Sequence, residues 1–476
     1  MKEIKVRDLQ AGAVAEMDYF GQNGKILLKK GVSITDTLLN ALSRRNVFSL
    51  FVQEEGEDIK KLLSLKELDT FEIEEEVVVE APTEEEAGQA KKTRQFQPIH
   101  ISIPVEQVIP ELGRIEKGEE GIKQILNTAP VKNVEDAIEK NRITLAVVPE
   151  GTAIKGVAKE LSFGQRTETY KASVVDQYSA SVTDTKELLM RIRAGQHISG
   201  DSIKHIVKSF IDTYLNDKHM LINLSNARSP EQDYVFSHSL NVCLMAISIA
   251  ASQGFNKEQV LDIGIGAFLH DVGALFIPEE IRFKAGPLSA DELYEVKKHP
   301  MVGVHAIERI KNLPATAAFV CYQSHERENR QGYPKQRGGR LIHNFAKIVS
   351  IADVYESLTA DRPYRKGLVP YKAMEFILRA TKNLFFDSGI VKAFLEFASL
   401  FPVGSLVKLN TGEIAKVIRS NHEHYARPVV SVLVDAYNQP IDEKDIRTVD
   451  LNTQSSVRIV MPIDNTKLNI GVMKGF

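Results

Sequence analysis

Cysteine is scarce, with two in 476 residues, Cys243 and Cys321. Each sits in an apolar helical run, so the pair argues against a secreted disulfide framework and reads as reduced core thiols. Net charge is nearly absent too: 60 lysines and arginines face 63 aspartates and glutamates, leaving −3. That balance gives no footprint of a nucleic-acid binder or a membrane-surface protein. The opening residues "MKEIKVRDLQAG" contain no apolar core, which argues against a signal peptide. No run approaches the roughly 18 apolar residues needed to span a bilayer. No internal repeat is found. The expectation is a cytoplasmic protein with neither nucleic acid nor membrane among its partners.

What is present is a multidomain pattern. With 43% hydrophobic residues the chain can bury a large core, and its length suits roughly two to four domains. Residues 1–56 read as a small β-rich module, with a hairpin signal at Gly21-Gln22-Asn23-Gly24, a helix at "TDTLLNALSRR" and a closing strand at "VFSLFV". Residues 57–98 form an acidic linker with eight glutamates between Glu72 and Glu86, a composition expected to stay disordered. Residues 99–165 mix the β-branched runs "IHISIPV" and "ITLAVVP" with glycine and proline and read as α+β. From 166 to 400 the period turns helical, and an all-α bundle of at least six helices is expected. Ser229–Gln232 and Ser289–Glu292 supply capping boxes there. Residues 401–476 return to strand signals around Asn410-Thr411-Gly412 and read as a small β domain with a mixed tail.

The chemistry is concentrated in the helical region. "FLHDVGALFIP" sets His270 beside Asp271 where an apolar helix runs out. His238 shares a helical face with Val235, Val242, Met245 and Ile249. A histidine on such a stripe is, taken alone, more often a hydrogen-bonded core residue, and the same holds for His299. Asp353, inside "AKIVSIADVYESLTA", changes the balance, because a buried unpaired carboxylate is strongly unfavourable and a cation is its most economical partner. His238, His270, Asp271, His299, His325 and Asp353 together offer imidazole and carboxylate donors suited to iron, manganese or zinc. Two such ions can clamp both oxygens of an in-line phosphoryl displacement and activate water. By contrast, His305 and His343 read as ordinary core or surface residues, and His422 with His424 as a solvated loop pair.

The pieces "DYVFSHSLNV", "GAFLHDVG", "KKHPMVGVHAI", "SHERENRQGYP", "IADVYESLTADRPYR" and "FDSGIVKAF" resemble, in order and spacing, the HD-GYP branch of the HD phosphohydrolases. That resemblance implies a helical HD bundle, hydrolysis of cyclic di-GMP, and one or two divalent metals, iron or manganese. It assigns one metal to His238, His270, Asp271 and Asp353, and a second to Asp271, His299, His325 and a further histidine. It also places Arg362 and Arg365 against the ligand's phosphates, with Tyr333 and Pro334 of the Gly332-Tyr333-Pro334 signature at the ligand.

The sequence departs from the family at three points. Ser324 stands where the second metal's last histidine belongs, and Ala274 replaces a lysine. Asn329-Arg330 replaces Asp-Gly, which sets a cation near the expected mouth of the site. Ser324 could hold a water in place of the lost ligand. Losing a phosphate-side donor such as the lysine typically costs about 10²–10³ in rate. Three readings follow: a weakened metal-dependent phosphodiesterase whose catalytic set includes Asp271, Ser324 and Arg330, a cyclic di-GMP receptor without turnover, or a protein-interaction scaffold. A signalling partner docking through the GYP region or flanking domains, and a homodimer, both stay open.

Overall fold

The computed structural model describes residues 108–463, except 141–143, 160, 162–166, 219, 226–233, 285, 363–366, 403 and 422–423. Of the first 52 residues it describes 2–5, 12–13, 15, 19–20, 26–28, 32, 34–35 and 49–52. The expected acidic linker, the run "IHISIPV", the helix "TDTLLNALSRR", the Ser229–Gln232 capping box, Arg365 and His422 lie outside the described residues. In the N-terminal part, β1 (Lys2–Lys5), β2 (Tyr19–Phe20), β3 (Ile26–Leu28) and β4 (Ser49–Val52) form a sheet of order β1-β4-β2-β3. The hairpin pairing of β2 with β3 is there, while β4, expected to close the module, lies between β1 and β2.

The stretch expected as α+β carries helices and irregular chain where it is described. It carries α1 (Gly118–Leu126) and α2 (Ala129–Glu139). "ITLAVVP" forms no strand, because its carbonyls are taken up elsewhere. Leu145 O accepts from Asn344 N, Val147 O from Asn344 Nδ2, and Val148 O from Gln259 Nε2. Tertiary partners have overridden β propensity here. Val108, Ile125, Val131 and Ile138 join the same hydrophobic core as the helices that follow, so that core crosses the boundary expected at 165.

The central helices are α3 (Glu168–Arg193), α4 (Gly200–Asn216), α5 (Met220–Ser225), α6 (Tyr234–Ser252), α7 (Lys257–Leu269) and α8 (Glu279–Arg282). After them come α9 (Ala290–Lys297), α10 (His299–Ile307), α11 (Thr316–Gln323), α12 (Asn344–Thr359), α13 (Pro370–Lys382) and α14 (Ser388–Ala398). Helix α6 is apolar all round because it is enclosed by α7, α12, α14 and α5. Windows at Val235–Ser252 and Lys257–Phe276 are long and apolar enough to cross a membrane, contrary to the sequence expectation. They are 89% and 67% buried inside the protein, which is how a core helix passes that test. Both expected starts and unexpected ones are capped: Ser289 and Glu292 form the capping box of α9, and Asn256 and Gln259 form another at α7.

The C-terminal sheet contains β5 (Leu406–Leu409), β6 (Ile414–Arg419), β7 (Val429–Val434), β8 (Arg447–Asp450) and β9 (Ile459–Ile463), in the order β8-β7-β6-β5-β9. Gly412 makes the β5–β6 turn at φ +89°, a conformation that favours glycine.

One close crossing positions the rest. After α7 the chain makes a 3₁₀ turn, Val272–Phe276, that lies against α10. A Cβ on Gly273 would stand 1.9 Å from His299 O and 2.6 Å from Gly303 N. Backbone therefore meets backbone, and Asp271 is brought beside His299. Gly273→Ala should force the two segments apart at a cost of about 1–3 kcal/mol. Urea denaturation of the full chain checks this, and an unchanged midpoint would show that the crossing tolerates a side chain.

Candidate metal centre

Five segments deliver the donors. His238 comes from α6, His270 from the end of α7, and Asp271 from the step into the 3₁₀ turn. His299 opens α10, His325 follows α11, and Asp353 lies within α12. All six expected ligands converge. Asp271 Oδ1 stands 2.9 Å from His299 Nε2 and 3.1 Å from His325 Nε2. Its Oδ2 is 3.8 Å from His238 Nε2. Asp353 Oδ1 is 3.5 Å from His238 Nε2 and 3.8 Å from His270 Nε2, and its Oδ2 is 3.7 Å from His325 Nδ1. Metal–ligand bonds of roughly 2.0–2.2 Å put neighbouring donors about 3–3.5 Å apart, so this spacing fits ions between them. The donors group as His238–His270–Asp271 and as Asp271–His299–His325, with Asp271 common to both.

Hydrogen bonds on the outer ring nitrogens orient three of the imidazoles. His270 Nδ1 donates to Ala267 O at 2.7 Å and His299 Nδ1 to Val296 O at 2.8 Å. His238 Nδ1 donates to the Glu356 carboxylate. Each bond fixes the tautomer that turns an Nε2 lone pair inward, as a metal-binding histidine requires. His270 Nε2 is buried with no hydrogen-bond partner, an orphan that a cation would satisfy. His325 is held differently: the Tyr333 ring stacks on it at 5.0 Å and 3°.

The charges reinforce one another. Burial pushes the Asp271 carboxyl up, yet His299, His270 and the hydrogen bonds from His299 and His325 outweigh it and hold the group well below the carboxylate range. Burial likewise opposes charge on His270, but Asp271 and Asp353 overcome it and lift the imidazole to about 9. Burial, helped by His299, takes His325 down to about 4 against the pull of Asp271.

The other expected residues are placed less uniformly. Ser324 is fully buried as the C-cap of α11, and its Oγ has no hydrogen-bond partner. Arg362 Nη2 bonds Glu356 Oε2 at 3.0 Å and Ser357 Oγ at 3.1 Å, close behind His238. Arg330 is an exposed turn residue at φ +62° whose Cγ lies beside Gly338. Tyr333 and Pro334 are half-buried and joined by a cis bond. At Ala274, Arg282 of α8 brings Nη1 to 3.4 Å from the carbonyl. His305 and His343 are core residues, with His305 Nε2 2.9 Å from Thr128 Oγ1 and His343 Nδ1 accepting from Phe345 N.

Two functional carboxylates escaped the sequence reading. Glu356, one turn after Asp353, backs both His238 and Arg362, and His238 with Arg362 holds it down to about 2 although burial opposes this. A second acid in the apolar α12 was the available signal. Glu326, next to His325, accepts from Lys335 N at 2.7 Å and Arg337 N at 2.8 Å and so ties down the loop carrying Tyr333.

Residues 215–390 match the family model of the HD domain, and residues 406–470 match that of the KOW domain associated with it. This part of the chain is an HD domain. The resemblance drawn from the six quoted motifs holds. A cyclic di-GMP phosphodiesterase of Pseudomonas aeruginosa is 30% identical over 254 residues, covering 53% of this chain and 60% of that protein. The cyclic di-GMP phosphodiesterase PdeB of Borreliella burgdorferi is 27% identical over 243 residues, covering 51% and 60%. The 3'3'-cGAMP-specific phosphodiesterase 2 of Vibrio cholerae is 29% identical over 191 residues, covering 40% and 36%. The chain thus spans about 60% of the length of the first two relatives.

A proton on His270 competes with any ion in the HD domain. Since that imidazole is lifted to about 9, metal affinity should rise with pH and level off above that value, with proton release at neutral pH. Calorimetric titration with manganese in buffers of different ionisation heat reads the protons directly. Glu356→Gln, which removes the charged support of His238, should lower affinity about 10- to 100-fold.

Proposed function

We propose that the HD domain is a metal-dependent phosphodiesterase of the HD-GYP type acting on cyclic di-GMP, weakened on one side of its centre. The observation that carries this reading is the sharing of Asp271 between two His-containing donor groups. Two divalent ions, iron or manganese, would supply Lewis acidity at a bridging position when bound. His238, His270, Asp271 and Asp353 would hold one, and Asp271, His299 and His325 the other. The chain's own groups do the remaining work. Asp271 stays ionised, so it can bridge. Tyr333 covers the His325 ring and limits water on that side. The Arg362 guanidinium, close to His238, is the nearby cation for a phosphate, because its planar fork suits two oxygens. A cytoplasmic setting belongs to the proposal, and the buried, unpaired Cys243 and Cys321 are compatible with it.

A second reading, a cyclic di-GMP receptor without turnover, draws support from Ser324, Ala274 and Arg362. Ser324 offers an orphaned hydroxyl where a ligand nitrogen would sit, no lysine stands at 274, and Arg362 already grips Glu356. The first two weigh against cleavage, and the retained Arg362 keeps a cation for a bound phosphate.

Turnover by protein purified without oxygen and loaded with ferrous iron or manganese separates the readings, with Asp271→Ala as the blank. Cyclic di-GMP and 3'3'-cGAMP should be run in parallel. Linear product above the blank supports the enzyme. Ser324→His with Ala274→Lys should then raise the rate, by about 10²–10³ if the lysine's electrostatic contribution is recovered. Bound, uncleaved ligand with zero activity in the double variant identifies the receptor instead. In either case Arg362→Ala should weaken binding of intact ligand, and unchanged affinity removes Arg362 from the phosphate contact.

A further inference from the structure

Residues 116–139, ahead of the HD domain, approach the metal cluster at α10 and at the signature loop, while residues 145–156 meet α6, α7 and the start of α12. Two sets of contacts make the connection. The first lies on α10. Lys298, immediately before His299, is buried and donates from Nζ to Glu116 O at 2.7 Å and to Glu295 Oε1 at 2.8 Å. Glu295 Oε1 in turn accepts from Gly118 N at 3.1 Å, at the start of α1. The Lys298 stem crosses Gly121 so closely that a Cβ there would meet Nζ at 2.5 Å and Glu116 O at 1.9 Å. Farther along α10, His305 meets Thr128 between α1 and α2.

The second set lies on the signature loop. Glu135 of α2 pairs with Arg337, and both side chains are almost enclosed, 9% and 12% exposed. Lys335 Nζ adds a weaker approach to Glu135 at 3.7 Å. The loop thus held from outside by Glu135 is held from inside by Glu326, which takes the backbone N–H groups of the same two residues, Lys335 and Arg337. Between these anchors and His325 stands Tyr333, whose N donates to His325 O at 3.1 Å while its ring stacks on the imidazole. The ring also meets His299 edge-on at 6.0 Å.

Both routes therefore end on His299 and His325, the two histidines that share Asp271 on the side where Ser324 replaces a ligand. His238 and His270 come from α6 and α7. We propose that residues 116–139 form a strap that sets occupancy of the Asp271–His299–His325 position, with Glu135, acting through Arg337, as a positioning residue. The inference rests on the two-metal reading above. A three-donor position depends on the aim of each remaining imidazole more than a complete one does, because no extra ligand compensates for a misdirected ring. Outer groups that aim metal-binding histidines are typically worth about 10- to 100-fold in affinity. The Glu135–Arg337 pair is suited to the task because, being enclosed, it is poorly screened and has a defined geometry.

The test uses the full chain and manganese as the probe. Metal per chain is measured after equilibration at a series of fixed free-manganese concentrations, and spin coupling between paired ions is followed by electron paramagnetic resonance. The wild-type chain should bind two ions in distinguishable steps. Glu135→Gln and Arg337→Gln should each weaken the second step about 10- to 100-fold, reduce the coupled signal, and leave the first step unchanged. The double variant should lose no more than the worse single variant, as expected of two groups acting as one unit. Arg337→Lys, which keeps the charge, should retain most of the second step and reports on the pair if a glutamine variant does not fold. Second-step affinity unchanged in folded variants, or an equal loss at both steps, would overturn the strap while leaving the two-metal centre standing. A wild-type chain that never takes a second ion would overturn both, and that arm is read before any variant is made.

Discussion

The central constraint is the placement of two carboxylates, Asp271 and Asp353, among four imidazoles inside a helical core. Their side chains are 23% and 9% exposed, and an ionised carboxylate so placed needs positive charge or strong hydrogen bonds. The surrounding architecture supplies both. Helices α6, α7, α10 and α12 each present one donor inward, and the close crossing at Gly273 and Gly303 closes the ring by pressing the turn after Asp271 onto the helix that begins with His299. The apolar packing of α6 fixes the direction of His238, and a single missing turn of α7 would aim His270 elsewhere. In this sense the core exists in its present form to hold a concentration of like donors that would otherwise repel or hydrate.

Much of this centre was legible in the sequence. Asp353 stood out because an unpaired carboxylate inside so apolar a helix is strongly unfavourable, and the order and spacing of the six motifs did the rest. Local rules located helix starts such as Ser289 and turns such as Asn410-Thr411-Gly412, where a side chain or a positive φ carries the signal. What failed to show was whatever depends on a distant partner. "ITLAVVP" has strand composition, yet Asn344 and Gln259 take its carbonyls. Glu356 and Glu326 drew no assignment, because only the fold brings His238 and the backbone of Lys335 and Arg337 to them.

The departures from the family pattern are not scattered at random through the centre. Ser324 precedes His325 and Ala274 follows the Asp271 turn, both next in sequence to the Asp271–His299–His325 group, whereas the four donors expected around His238 and His270 are all present. Asp271 and Asp353 draw on both donor groups: against burial, His299 and His270 hold the first ionised, and His270, His325 and His238 hold the second.

Arg362 carries one more implication. A single Nη2 contacts Glu356 and Ser357 and lies 3.3 Å from His238 Nδ1. An anion that draws this guanidinium towards itself relaxes the carboxylate that orients His238, and an ion seated on His238 stiffens the same carboxylate against the arginine. Were both to bind, they would be linked through Glu356 without touching, and thermodynamic reciprocity would make the weakening that each causes in the other equal in size.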